Sequence, residues 1–205
     1  VHPDFLLNKC YRTDPKTLMC AHAIGMGLFS ENPGQYMRWL DEKAWDACGY
    51  DIRKENGYYD LYRKPLRRFE DLGKTELKNI EIIPTDRSEY ITCIIKIIAE
   101  LRDNNPTLQP DDIGIMFLEN TNENYTLANK LQTVILENFK WEVNIGYESK
   151  EKKKGTVFVS NRNNVKGLEF PFVICMMQQK LDRDLQNRNS IYMMLTRSFL
   201  TSYLI

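Results

Sequence analysis

Histidine is scarce in this chain of 205 residues: His2 and His22 are the only two. Both lie outside the segments that could carry a ligand site, and nothing resembles a nucleophile-base pair, so a Ser-His or Cys-His hydrolase is not indicated. The five cysteines (Cys10, Cys20, Cys48, Cys93 and Cys175) are odd in number, and no two have C-x-x-C spacing. That disfavours a zinc ribbon and a disulfide framework. Cys20 and His22 are the one pair near enough in sequence to share a metal, and they lack further ligands. Free thiols in a reducing cytosol are therefore expected, and with them a cytoplasmic location and no metal. Long apolar runs are also missing. The strongest, Ile94-Ile95 and Ile97-Ile98-Ala99, are short and split by Lys96, so no membrane span is expected. Net charge is missing too, with 28 Lys+Arg against 28 Asp+Glu. A global field that attracts nucleic acid is thereby excluded, and any such contact must come from local groups. There is no G-x-x-x-x-G-K-[ST] phosphate loop, and no apolar run ends in paired Asp-Glu. Gly25-Met26-Gly27 lies in a helical pattern with no lysine after it. Val1 opens the sequence where an initiator methionine would stand, and an excerpt of a longer protein is expected.

What remains suits one folded domain with an insertion: 42% hydrophobic and 27% charged residues. Residues 12–29 read as a helix capped by Thr13 or Asp14, with Pro15 in its first turn. Pro33-Gly34 marks a turn. Tyr36, Trp39, Leu40, Lys43, Ala44 and Ala47 have helical spacing, and Gly49 and Gly57 interrupt the pattern. Residues 58–69 mix rings with cations: Tyr58, Tyr59, Tyr62, Arg63, Lys64, Arg67, Arg68 and Phe69. They suit either a contact to phosphates and bases or the core of a small subdomain. Residues 31–75 are thus read as a helical or irregular insertion. Beyond it, strands are expected at 80–83, 113–118, 141–145, 156–159, 172–177 and 202–205. Helices are expected at 88–102, 124–138 and 186–199, the first with an apolar face of Ile91, Ile94, Ile95, Ile98 and Leu101. Lys150 to Lys154 reads as a solvated loop. This alternation predicts an α/β parallel sheet with helices on both faces.

Such sheets bind ligands beyond the carboxyl ends of their strands. Three segments are candidates to meet one there: Asn8 to Thr13, Val165 to Phe170, and Leu195 to Ser198, the last expected late in a helix. Arg12 and Arg197 offer planar, permanently charged forks suited to phosphate. Gly167 permits close backbone approach, Glu169 can accept from ribose hydroxyls, and Tyr11 can stack on a base. Equally, both arginines can be surface charges, Tyr11 a core aromatic and Gly167 a turn residue.

Taken in order, Asn8-x-x-Tyr11-Arg12-Thr13, Asn163-x-x-Lys166-Gly167-Leu168-Glu169-Phe170 and Arg188-x-x-x-Tyr192-x-x-Leu195-Thr196-Arg197-Ser198 resemble motifs IV, V and VI of superfamily 1 helicases of the UvrD/Rep type. Asn161 and Asn163 stand where that family has Thr and His. The resemblance implies a second RecA-like domain of the P-loop NTPase type over residues 1–30 and 76–205, with 31–75 as the insertion. It implies Arg197 as an arginine finger on the γ-phosphate, Arg12 as a second γ-phosphate contact, and Tyr11, Gly167, Glu169 and Thr196 around the nucleotide. It implies Asn161, Asn163 and Lys166 facing single-stranded DNA or RNA. ATP and Mg2+ would be shared with an N-terminal RecA-like domain carrying the phosphate loop. The competing expectation is a RecA-like module without hydrolysis, serving as a nucleic-acid-binding or docking platform.

Overall fold

The computed structural model describes residues 13–25, 42–47, 49–63, 79–147, 151–178 and 185–205. Its centre is a six-stranded, wholly parallel sheet of order β3-β8-β7-β4-β6-β5. The strands are β3 (Ile80–Ile82), β4 (Ile113–Phe117), β5 (Glu142–Ile145), β6 (Thr156–Asn161), β7 (Phe170–Met176) and β8 (Ser198–Leu204). Central β4 is buried at all five positions. Its unbroken apolar run follows from that, because a strand covered on both faces needs no alternation.

Helices cover both faces. On one side α3 (Tyr90–Asn104) and α4 (Asn122–Phe139) pack with Ile113, Ile115, Phe117, Val157 and Val159. On the other, α1 (Pro15–Gly25) and α5 (Leu185–Leu195) enclose Met116, Phe158, Phe170 and Val173. Asp14 caps α1, its Oδ1 accepting from the Lys16 and Thr17 amides at 2.8 and 3.2 Å. Thr121 caps α4, accepting from the Asn124 amide. Lys140 closes α4 in the left-handed region, φ 59°. On α3 the buried stripe is Tyr90, Ile94, Ile97, Ile98 and Leu101. Ile91 and Ile95, assigned to the core from spacing, are only partly buried, so the face is rotated toward Ile97.

Two expectations need correction. The last helix does not run to Phe199. It ends at Leu195, residues 196–197 turn, and Ser198 already opens β8. No glycine or proline stops α5; the pairing of β8 with β7 does. Strand β7 in turn starts at Phe170, two residues earlier than its apolar run suggested. Pro171 is tolerated there because the β7–β8 register slips between Phe170 and Phe172.

The described part of 31–75 is not irregular. After α2 (Glu42–Ala47) it forms an antiparallel hairpin of β1 (Tyr50–Glu55) and β2 (Tyr58–Arg63), separate from the main sheet. Asn56 and Gly57 make its two-residue turn, with φ 52° and 81°. Both central residues of such a turn must have positive φ, which Asn-Gly accepts at low cost. That dipeptide was the missed signal. Residues 64–69 of the basic aromatic stretch lie outside the described residues.

The hairpin is anchored by aromatic contacts. Trp45 and Tyr50 are fully buried beside Ala23, with Met19, Ile52 and Leu61 against them. The Tyr50 hydroxyl lies 3.0 Å from His22 Nδ1, and His22 stacks on Tyr192 of α5 at 5.1 Å. Imidazole is therefore used between helix, hairpin and α5. Tyr50→Phe is expected to cost about 1 kcal/mol, read as a lower urea midpoint at unchanged slope.

Candidate functional site

The sheet sorts the predicted residues onto two opposite edges. Glu169 immediately precedes β7 and Arg197 immediately precedes β8. These strands are parallel neighbours, so both residues lie at the amino edge of the sheet. The expectation of a carboxyl-end site for these segments is corrected here. Eight residues, 162–169, carry the chain from the end of β6 back to the start of β7, and Glu169 lies at the far end of that crossover.

At the amino edge the Phe170 amide donates to the Arg197 carbonyl at 3.0 Å. This bond sets Glu169 and Arg197 side by side in the backbone. Arg197 is half-buried, and its Nε donates to Met193 O at 3.0 Å, which orients the plane of the guanidinium. Thr196 is buried, and its hydroxyl donates back to Met193 O at 3.1 Å. Its carbonyl accepts from the Thr13 hydroxyl at 3.3 Å. Thr13 thereby joins the end of the first motif segment to the third, although 183 residues separate them. Tyr11 and Arg12 themselves lie outside the described residues. Lys152 reaches the same corner, with Nζ 4.7 Å from the Phe170 ring centroid and 3.5 Å from Glu169 O. Sequence reasoning missed Lys152, because the lysine-rich loop around it resembles a solvated turn. Gly167 is exposed with φ 87°, and a Cβ there would meet nothing within 4 Å. Positive φ, not crowding, is what favours glycine at that position.

Arg188 opens the third motif on α5. It is 7% exposed, and its Nε has no hydrogen-bond partner among the described residues. Nearby, Arg162 Nη1 donates to Asn187 Oδ1 at 2.6 Å, tying the turn after β6 to α5.

The carboxyl edge holds the other predicted group. Asn161 ends β6 and is 2% exposed. Its Nδ2 donates to Asn120 Oδ1 at 2.7 Å, and its Oδ1 accepts from the Asn163 amide at 2.9 Å. The side chain is thus engaged in shaping the turn at 162–164. Asn163 and Lys166 are exposed.

Among the described residues no group of three His, Cys, Asp or Glu could hold a metal ion, and no helix is long and apolar enough to cross a membrane. Cys175 is fully buried, and burial pushes its thiol well above the ordinary range. Cys20 and Cys93 are partly buried and free.

No curated protein matches the chain in sequence. Among solved structures, the chain is similar to the C-terminal domain of a possible DNA helicase from Lactobacillus plantarum WCFS1. The identity is 17% and the TM-score 0.44, over 63% of this chain and 73% of that one. Residues 156–205, which run from β6 through both the Lys166-Gly167-Leu168-Glu169-Phe170 and Leu195-Thr196-Arg197-Ser198 segments, match the model of the UvrD-like helicase C-terminal domain.

Proposed function

We propose that this chain is the second motor domain of an ATP-dependent helicase or translocase acting on single-stranded DNA or RNA. One observation carries this: segments far apart in sequence converge at one edge of a parallel sheet. The bonds from the Phe170 amide to Arg197 O and from Thr13 Oγ1 to Thr196 O join them. Glu169 and Arg197 then supply a carboxylate for ribose hydroxyls and a guanidinium for phosphate oxygens at the same corner. These residues fit half of a nucleotide site. Arg197 is the finger, and its fork neutralises charge spreading over a transferring phosphoryl group. Arg12 is a second phosphate contact, Tyr11 flanks the base, and Gly167 and Glu169 lie by the phosphate and sugar. Thr196 belongs to the site through its main chain, since its hydroxyl bonds Met193 O. The phosphate loop and the carboxylates that hold Mg2+ belong to an N-terminal RecA-like domain outside residues 1–205. Asn163 meets the strand at the carboxyl edge, where Asn161 holds its turn, and exposed Lys166 meets it from the crossover that follows.

Purified residues 1–205 are expected to release no phosphate from ATP above background and to bind nucleotide weakly by equilibrium titration. Robust turnover by this chain would contradict a divided site. The second proposal is a docking or nucleic-acid-binding module without hydrolysis. The rest of the polypeptide decides between them. A phosphate loop with strand-stimulated ATP hydrolysis is the expected finding, and a polypeptide lacking both is the platform.

A further inference from the structure

The carboxyl edge carries a feature that no motif includes. Tyr125 lies in the first turn of α4, and Tyr147 lies two residues beyond the end of β5. Their rings meet at 4.2 Å between centroids, tilted by 40°. Strand order brings the ends of β4, β6 and β5 together as neighbours. The tyrosine pair therefore shares an edge with Asn120, which follows β4, and Asn161, which ends β6. Tyr147 is half-buried, while Tyr125 is 42% exposed, an unusual display for an aromatic that already has a ring partner. Two polar atoms, the Tyr147 hydroxyl and Asn124 Oδ1, are buried and have no hydrogen-bond partner among the described residues. Asn124 is held in place by its own Nδ2, which donates to Glu119 O at 2.6 Å. Leaving such a group without a partner is costly, and an incoming donor or acceptor recovers that cost.

We propose that Tyr125, supported from behind by Tyr147, is a stacking platform for a base of single-stranded nucleic acid. This rests on the nucleic-acid part of the function proposed above and deepens it. An aromatic face binds any base through its π-surface, so the platform needs no sequence code. Base edges carry both donors and acceptors, which suits the Tyr147 hydroxyl once a side-chain shift opens it to a bound base. The backbone phosphates run along the other side of the edge. Glu123, two residues before Tyr125, is paired with exposed Arg87 at 4.0 Å and gives phosphates no net attraction, whereas exposed Lys166 on the crossover after β6 does. Burial, with Tyr125 adding to it, raises the Tyr147 hydroxyl above its ordinary range, so this ring stays neutral at working pH.

The test uses residues 1–205 with fluorescently labelled oligo-dT and oligo-U at low salt, read by anisotropy. Tyr125→Ala is expected to weaken binding by about 5- to 150-fold, the loss of one stacked base. Tyr125→Phe keeps the ring and is expected to bind like the parent. Thermal melting of both variants checks that α4 is intact. An oligonucleotide carrying 5-iodouracil is expected to crosslink to the peptide containing Tyr125 or to that containing Tyr147. If Tyr125→Ala binds as the parent does while Lys166→Ala weakens binding, the platform is wrong and the nucleic-acid reading stands. If the parent binds no oligonucleotide, both fail together.

Discussion

Replacing Arg197 with alanine in the full-length protein is expected to lower ATP turnover by about three to five orders of magnitude, while nucleotide binding survives. The size of the effect follows from what an arginine finger does. Charge on the transferring group grows toward the transition state, so a fork aimed there stabilises that state more than bound ATP. The neighbourhood makes the aim reproducible. The main chain of Arg197 is clamped by the Phe170 amide, and its Nε is held by Met193 O, each at 3.0 Å. Losing the second bond costs about 0.5–1.5 kcal/mol of stability, far too little to unfold a domain. A general fold defect would reduce nucleotide affinity and turnover together, whereas loss of a finger separates them. Arg197→Lys is the sharper control. It keeps the charge but loses the planar fork and the Nε bond, so it is expected to recover little of the rate. Turnover within a few-fold of the parent for Arg197→Ala would sink the role and leave the docking platform.

The second large effect concerns stability. Phe170 is fully buried at the start of β7, against Phe158 at 5.5 Å between centroids. It also lies over Gly114 of β4, where a Cβ would meet three atoms of its ring at 2.9, 3.0 and 3.1 Å. Phe170→Ala is expected to cost about 3–5 kcal/mol by opening a cavity in the sheet centre. Gly114→Ala is expected to cost about 1–3 kcal/mol for the opposite reason, because the added methyl meets a ring with no room to move. The two changes should not add. With the ring gone, the Gly114 methyl enters the vacated space, so the double variant is expected to be more stable than the sum of the singles by about 0.5–3 kcal/mol. Urea unfolding of all four proteins measures this coupling. Strict additivity would mean that the ring and Gly114 do not meet. Since Phe170 also carries Lys152 above its ring and follows Glu169 directly, the single Phe170→Ala variant should loosen the proposed nucleotide corner as well.

Much of the fold was legible from residues alone because short-range physics decided it. The apolar run Ile113 to Phe117 named a doubly covered strand. Asp14-Pro15 named the start of α1, and residues 124–138 carried helical periodicity within the observed α4. What was missed lay where local and tertiary preferences conflict. Nothing in Thr196-Arg197-Ser198-Phe199 opposes a helix; β8 begins there because β7 offers it a ladder. The apolar run placed the strand at Phe172, and a register slip let β7 begin two residues earlier across Pro171. The hairpin at 50–63 was the exception. Its Asn56-Gly57 turn was readable and was passed over among the tyrosines and cations.

The candidate site divides in the same way. Composition and spacing alone supplied the chemical parts: two arginines, a glycine, a carboxylate, and the lack of a phosphate loop on which the proposal of a divided site rests. Which parts meet was decided only in three dimensions. Parallel strands start at one edge and finish at the other, so a residue's place depends on whether it precedes or follows its strand. Glu169 and Arg197 precede theirs and meet at the amino edge, with Thr13 brought to Thr196 across 183 residues. Asn161 ends its strand and Tyr147 follows its own, so both lie at the carboxyl edge, where the side chain of Tyr125 meets Tyr147. Sequence determined the inventory, because residue type carries charge, shape and hydrogen-bonding capacity. Strand direction and order determined the assembly, because hydrogen bonds between distant segments have no trace in local spacing.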